Sequence, residues 1–218
     1  MNTIKYQSTL HRLILWIALA IAIAGKVSAQ VDPTWETEIF TLLRNDKPIG
    51  EITARHFNDG ADQKFEVSTK VDVRVLIRIR YRVNYTSEFD SDDVLVSSAY
   101  KQSLNGKQQK NIQLSKKGRK YHVMNKGKSA KLGENDINFN ALKLYFREPI
   151  GVSKIYSENQ GKNVSVRRVG QGHYVLIQAN GRESHYRYVD GQLNSLTSSS
   201  AYGKISIVRQ NQNNYASR

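Results

Sequence analysis

The stretch Lys64 to Phe89, KFEVSTKVDVRVLIRIRYRVNYTSEF, constrains the fold more than any other part of the chain. From Phe65 to Tyr85 the odd positions are Phe, Val, Thr, Val, Val, Val, Ile, Ile, Tyr, Val and Tyr, whereas the even positions are polar or charged apart from Leu76. A period of two places one set on each face of an extended backbone, so the odd face is core and the even face is wet and basic. Fully extended, the run spans roughly 80 Å, several times a usual strand. It therefore either doubles back through an odd-length turn near Leu76, which preserves the parity, or bends sharply around a core. No Gly, Asn, Asp or Pro marks a turn there.

The N-terminus has the character of an address, not of a fold. Lys5, His11 and Arg12 precede the apolar run Leu13 to Ala24, and Val27-Ser28-Ala29 supplies small residues for cleavage before Gln30. Residues 1–29 are expected to be a cleaved signal peptide, 30–209 one all-β domain and 210–218 a disordered polar tail. The apolar run is short for a bilayer, which needs about 20 residues, so no stable membrane span is expected after cleavage. No cysteine follows it, which rules out lipid attachment there. The expected location is periplasmic or secreted. Without cysteines, burial alone must hold an exported domain.

Turn chemistry organises the rest. Trp35 to Arg44 and Lys47 to His56 flank Asn45-Asp46, and Asp90 to Asp93 form an acidic break before Val94 to Leu104. Asn105-Gly106 is a strong hairpin signal. A regular ladder from that turn sets Leu104 opposite Lys107, Lys101 opposite Lys110, Ala99 opposite Ile112 and Ser97 opposite Leu114. Glycines at 161, 172, 181 and 191 keep the spacing of an antiparallel meander. A two-residue turn at Asn180-Gly181 pairs Val175 with Tyr186 and Ile177 with Ser184, and one at Asp190-Gly191 pairs Tyr188 with Leu193. Ile205 and Ile207 make a last strand. Between Asn138 and Gly151, the segment NFNALKLYFREPIG predicts a short covering helix with Asn140 as its N-cap. The expected fold is a strongly curved antiparallel meander or open barrel of about ten strands with that one helix.

Function is far less legible. There is no Gly-x-Ser-x-Gly elbow, no phosphate-binding loop of the Walker type and no His-Glu-x-x-His helix. Ser157-Glu158, Glu134 and Asp136 read as surface loop residues, and His56, His122, His173 and His185 show no metal-ligand spacing. No catalytic residue, metal or cofactor is expected. His185 is placed on the outer face with Arg187, opposite Leu196. Arg78, Arg80 and Arg82 form an outer basic row with Asp72 among their neighbours.

One constellation rises above background. From Val94 to Gly133 there are ten basic residues and no acidic one. Lys101, Lys110, Lys116, Lys117, Arg119, Lys120, Lys126 and Lys128 are the candidate site for an anionic partner. The bland alternative is a solvated lysine-rich hairpin that resists edge-to-edge association. Nucleic acid is not expected, because the tyrosines fall on the core face and do not interleave with the lysines as stacking platforms. The oligomeric state is open.

The order Glu88-Phe89 with Leu95, then Asn105-Gly106-Lys107, Leu144-Tyr145-Phe146, Glu148-Pro149, Ser157-Glu158 with Gly161, Asn180-Gly181-Arg182 and Tyr186 with Tyr188 and Gly191 resembles an uncharacterised family of exported Bacteroidota proteins. That family is a domain of unknown function, and it supplies no catalytic residue to carry over. More remotely, a curved sheet with a covering helix is similar to the half-barrels of lipoprotein carriers and acceptors. The resulting expectation is a non-enzymatic cell-envelope protein that binds a lipid or an acidic polymer. An envelope enzyme acting on an anionic polymer and an assembly partner docking through the basic face are the alternatives.

Overall fold

A computed structural model describes residues 34–74, 78–133, 135–178, 180–200 and 203–210. The leader, Glu134 and the tail beyond Gln210 lie outside the described residues. Fourteen strands form one antiparallel meander: β1 Thr34–Arg44, β2 Lys47–Asn58, β3 Gln63–Arg74, β4 Arg78–Phe89, β5 Leu95–Leu104, β6 Lys107–Lys117, β7 Lys120–Asn125, β8 Lys128–Lys131, β9 Lys154–Ser157, β10 Lys162–Gly170, β11 His173–Ile177, β12 Glu183–Val189, β13 Gln192–Ser200 and β14 Gly203–Arg209. Each strand pairs with its neighbours in sequence except where β1 pairs with β14, which leaves β8 and β9 as edges of an unclosed sheet. Among the described residues, no helix is long and apolar enough to cross a membrane.

The long alternating run is a hairpin. Arg74 faces Arg78, and the pairing continues through Val71 opposite Tyr81 to Gln63 opposite Phe89. Three residues separate the strands, so parity is kept: Phe65, Val67, Val71, Val83 and Phe89 are all buried. Fourteen strands exceed the expected ten partly because the lysine-rich segment folds twice more. Gly118 and the Lys126-Gly127 pair adopt positive φ, which reverses the chain after β6 and again after β7.

Three predicted registers need correction. Leu104 does face Lys107, but a bulge next to Ser103 leaves Gln109 unpaired and shifts the rest by one residue. Tyr100 therefore faces Ile112 and Ser98 faces Leu114 on the inner side, in place of Ala99 and Ser97. In the second half, the β11–β12 connection runs from Gln178 to Arg182 and is tied by Gln178 N–H to Arg182 O at 2.8 Å, so it is not a two-residue turn. Tyr174 thus faces Tyr186, and Val175 faces His185. Tyr188 opposite Leu193 holds, but a bulge beyond Arg187 sets His185 against Thr197 in place of Leu196.

The covering element is a single 3-10 turn, Lys143–Tyr145, in place of a helix. Ala141, Leu142, Leu144, Tyr145 and Phe146 are nearly contiguous, so they cannot form one helical stripe, and Pro149 stops further propagation. The N-cap is Leu142, without a side-chain cap bond, in place of Asn140, whose Oδ1 nevertheless accepts the Lys143 N–H at 3.1 Å. Around this connector Tyr145 packs on Phe40, Phe146 on Phe65, Tyr174 bonds Glu148, and Tyr188 donates to the Leu144 carbonyl. In a flat sheet, β3 and β11 lie six strands apart, about 29 Å. Their convergence on one short connector requires the sheet to wrap around it.

Gly50 sets the closeness of β2 and β3. Ile49 is extra in the β1–β2 ladder, and a Cβ on Gly50 would lie 2.2 Å from the Lys70 carbonyl oxygen. Gly50→Ala is expected to lower stability by about 1–3 kcal/mol, read from chemical denaturation. Unchanged stability would mean that the strands separate freely.

Candidate functional site

The eight predicted basic residues do not form one patch. Lys116, Lys117, Arg119 and Lys120 gather at the β6–β7 turn, and Lys126 and Lys128 at the β7–β8 turn, beyond opposite ends of β7. With about 3.3 Å per residue, the six residues of β7 separate the two groups by roughly 17 Å. Lys101 stands on the outer face of β5 opposite Asn111, not opposite Lys110. The like-charge cross-strand pair is instead Lys117 with Lys120.

Two of the eight are held by the protein itself. Lys116 makes a 2.8 Å ion pair with Asp136, and that hydrogen bond raises its pKa. Lys110 points inward, donates to the Asn159 carbonyl and lies 5.7 Å from the Tyr100 ring centroid. Burial, aided by the nearby Lys126 charge, lowers its pKa. Lys101, Lys117, Arg119, Lys126 and Lys128 are exposed and make no ion pair among the described residues. On the outer face, Arg78 and Asp72 form the expected pair, with contacts at 2.7 and 2.9 Å.

Sequence reasoning missed the polar groups on the inner face. Glu158 and Ser157 are buried, not surface loop residues, because β9 and the turn after it fold onto the inner side of β6 and β7. The close approach of Gly161 to Ile112 and Val123 marks that contact. The Glu158 carboxyl is 1% exposed. Its Oε1 accepts Asn140 Nδ2–H at 2.6 Å, and its Oε2 has no hydrogen-bond partner. Burial pushes its pKa up to about 8. Its charge would in turn raise the pKa of Tyr85, Tyr145, Tyr156 and Tyr186, which stand on β4, the connector, β9 and β12.

A second buried ionic group closes the other side of the connector. Lys143 is 1% exposed, with its Nζ 3.5 Å from the Phe89 ring centroid. It donates to the Asp93 carboxylate and, at 2.8 Å, to the Asn138 carbonyl. Burial lowers its pKa to about 8 against the opposing pull of Asp93. His56 stacks on Phe65 with ring centroids 4.3 Å apart, and burial lowers its pKa too. No cluster of three metal-ligating side chains occurs among the described residues. The register offers no sequence signal for Glu158 or Lys143, since both lie outside the alternating strands.

The model of a domain of unknown function, DUF6134, matches residues 40–210. The chain belongs to the DUF6134 family. The match covers the meander from β1 through β14 and includes the connector that carries Asn140 and Lys143. Among solved structures, the DUF6134 chain is similar to the crystal structure of a β-barrel-like protein of domain of unknown function DUF1849 from Brucella abortus. Sequence identity is 13% and the TM-score is 0.46, with 82% of this chain and 95% of that chain covered. No curated protein matches.

Proposed function

We propose that this chain is an exported, non-enzymatic binding protein of a Bacteroidota cell envelope, periplasmic or secreted, that engages a lipid or an acidic polymer. The observation that carries the reading is the β6–β7 turn. There Lys117 faces Lys120 with Arg119 between them, and Lys117 and Arg119 have no acidic partner among the described residues. Exposed cations without an acidic partner, such as Lys117 and Arg119, attract anions. The apolar segment before Gln30 supports export.

The test is co-sedimentation with phosphatidylglycerol vesicles, neutral vesicles and an acidic polysaccharide, at low and raised salt. The protein is expected to bind an anionic probe in a salt-sensitive manner, and Lys117→Glu with Arg119→Glu is expected to weaken that binding about tenfold or more. Unchanged binding in the double variant overturns the reading. An envelope enzyme is the second reading, and the raised pKa of Glu158 speaks for it. Against it, the only side chain bonded to that carboxyl among the described residues is the Asn140 amide, which is no acid or base.

A further inference from the structure

Burial along the inner face is uneven. At the end closed by the connector, Phe65, Phe89, Leu95 and Leu193 are fully buried. At the opposite end, Ile49, Val73, Tyr81, Leu196 and Ile205 pack on the core yet are only half-buried. The registers place these five at one end, since Val71 faces Tyr81, Arg44 faces Ile205 and Leu42 faces both Gly50 and Ile207. Among the described residues, the inner face is thus fully buried at one end and apolar and half-buried at the other.

Glu158 is buried just after β9. Its Oε1 is bonded to a neutral amide, and its Oε2 and the buried Ser87 Oγ have no hydrogen-bond partner among the described residues. The inward cations are committed elsewhere, Lys143 to Asp93 and Lys110 to the Asn159 carbonyl. A buried carboxyl without a cation is costly in its charged form, and an incoming cation removes that cost. Tyrosine rings around it add the attraction of their π faces for cations. An anion finds no counter-charge at the same place, since Lys143 and Lys110 are held elsewhere.

We propose that the inner face binds an ammonium group carried on an apolar body, with Glu158 as the anchoring carboxylate, Tyr85, Tyr145, Tyr156 and Tyr186 around the cation, and the half-buried apolar end taking the rest of the ligand. The site is independent of the lysine turn. Binding converts a carboxylic acid into a carboxylate, so the proton on Glu158 passes to solvent as the ion pair forms. The titratable groups coupled to the carboxyl among the described residues are four phenols, which stay neutral because burial raises them all.

Isothermal titration calorimetry of the whole protein with decylamine and hexyltrimethylammonium tests this. Octanol and hexanoate serve as neutral and anionic controls, and each titration is run in two buffers of different ionisation enthalpy. The amines are expected to bind with release of close to one proton (about 0.8 or more near neutral pH). Glu158→Gln is expected to lose about tenfold or more in affinity, and Tyr85→Leu several-fold for the quaternary ion. The charge-reversed lysine-turn variant is expected to bind amines as the unaltered protein does, which separates this site from the anion-binding reading. Three results overturn the proposal: no amine binding, equal binding by folded Glu158→Gln, or equal binding of octanol or hexanoate. A high-resolution structure with only water on Oε2 in the presence of amine does the same.

Discussion

Glu158→Gln is expected to stabilise the protein at neutral pH, with a gain that grows between about pH 4.5 and about pH 8. The Glu158 carboxyl has its pKa raised to about 8 in the folded chain, against 4.5 as its ordinary value. Below the ordinary value it is protonated in both states and adds no pH dependence. As pH rises past 4.5, the unfolded chain ionises and the folded chain does not, so stability falls until pH passes the folded value. At about 1.36 kcal/mol per unit, the loss at pH 7 is about 3 kcal/mol, a large share of the roughly 5–15 kcal/mol of a whole domain. Glutamine keeps an oxygen for the Asn140 amide but does not titrate. Urea denaturation of both proteins from about pH 4 to about pH 9 should give curves that diverge as pH rises. Parallel curves would show that Glu158 reaches water or a hidden cation. The stabilised variant is also the one expected to lose amine binding, so the same carboxyl lowers stability and anchors a ligand.

Asp93→Asn is expected to cost about 2 kcal/mol near neutral pH. Asp93 holds the ammonium of Lys143, which sits against the Phe89 ring and has only the Asn138 carbonyl as a further acceptor. Removing one partner of a buried pair leaves an uncompensated charge and typically costs 3–5 kcal/mol. Asp93 is 39% exposed, so water screens part of the interaction and the lower figure applies. Asparagine is the informative replacement because Asp93 has φ +59°, a conformation that asparagine tolerates and alanine does not.

The pH dependence of this variant has the opposite sense to that of Glu158. The Lys143 amine has its pKa lowered to about 8 by burial, so its contribution is fully present above 10.5 and is lost as pH falls through 8. Without Asp93 the amine is harder still to charge, and the deficit of the variant should shrink as pH is raised above neutral. Lys143→Met in the Asp93→Asn background should recover most of the loss, since an apolar chain of similar length needs no counter-charge. Additive losses in a thermodynamic cycle would mean that the two residues act separately.

Much of the scaffold can be read from residue order alone. Alternation in β3 and β4 assigns Phe65, Val67, Val83 and Phe89 to the core, and the turns at Asn45-Asp46, Asn105-Gly106 and Asp190-Gly191 appear where the residues demand them. Register is less legible, because one unpaired residue moves every later side chain to the other face. Gln109 in β6 did this, and so did the longer connection around Asn180-Gly181. For the second half, two turns indicated the same core face for Val175 and Tyr188. The connection around Asn180-Gly181 is longer than two residues and turns Val175 to the other face, so agreement between turns does not show where a ladder breaks.

The sequence by itself determined most of the strand-forming segments, the core face of β3 and β4, and the abundance of basic residues near β6–β8. These follow from interactions over a few residues, where the period of two and the chirality of turns act directly. Only the tertiary structure decided that the basic residues separate into two groups, that Lys110 and Lys116 are held by the protein, and that Glu158 and Lys143 are buried. The burial of Glu158 and Lys143 depends on the segment from Asn138 to Gly161 lying across the inner face of the sheet. Its contacts join residues as far apart as Asp93 and Lys143, or Leu144 and Tyr188. No local pattern records such a contact, since a loop carboxylate and a buried one have the same sequence until the chain folds over it.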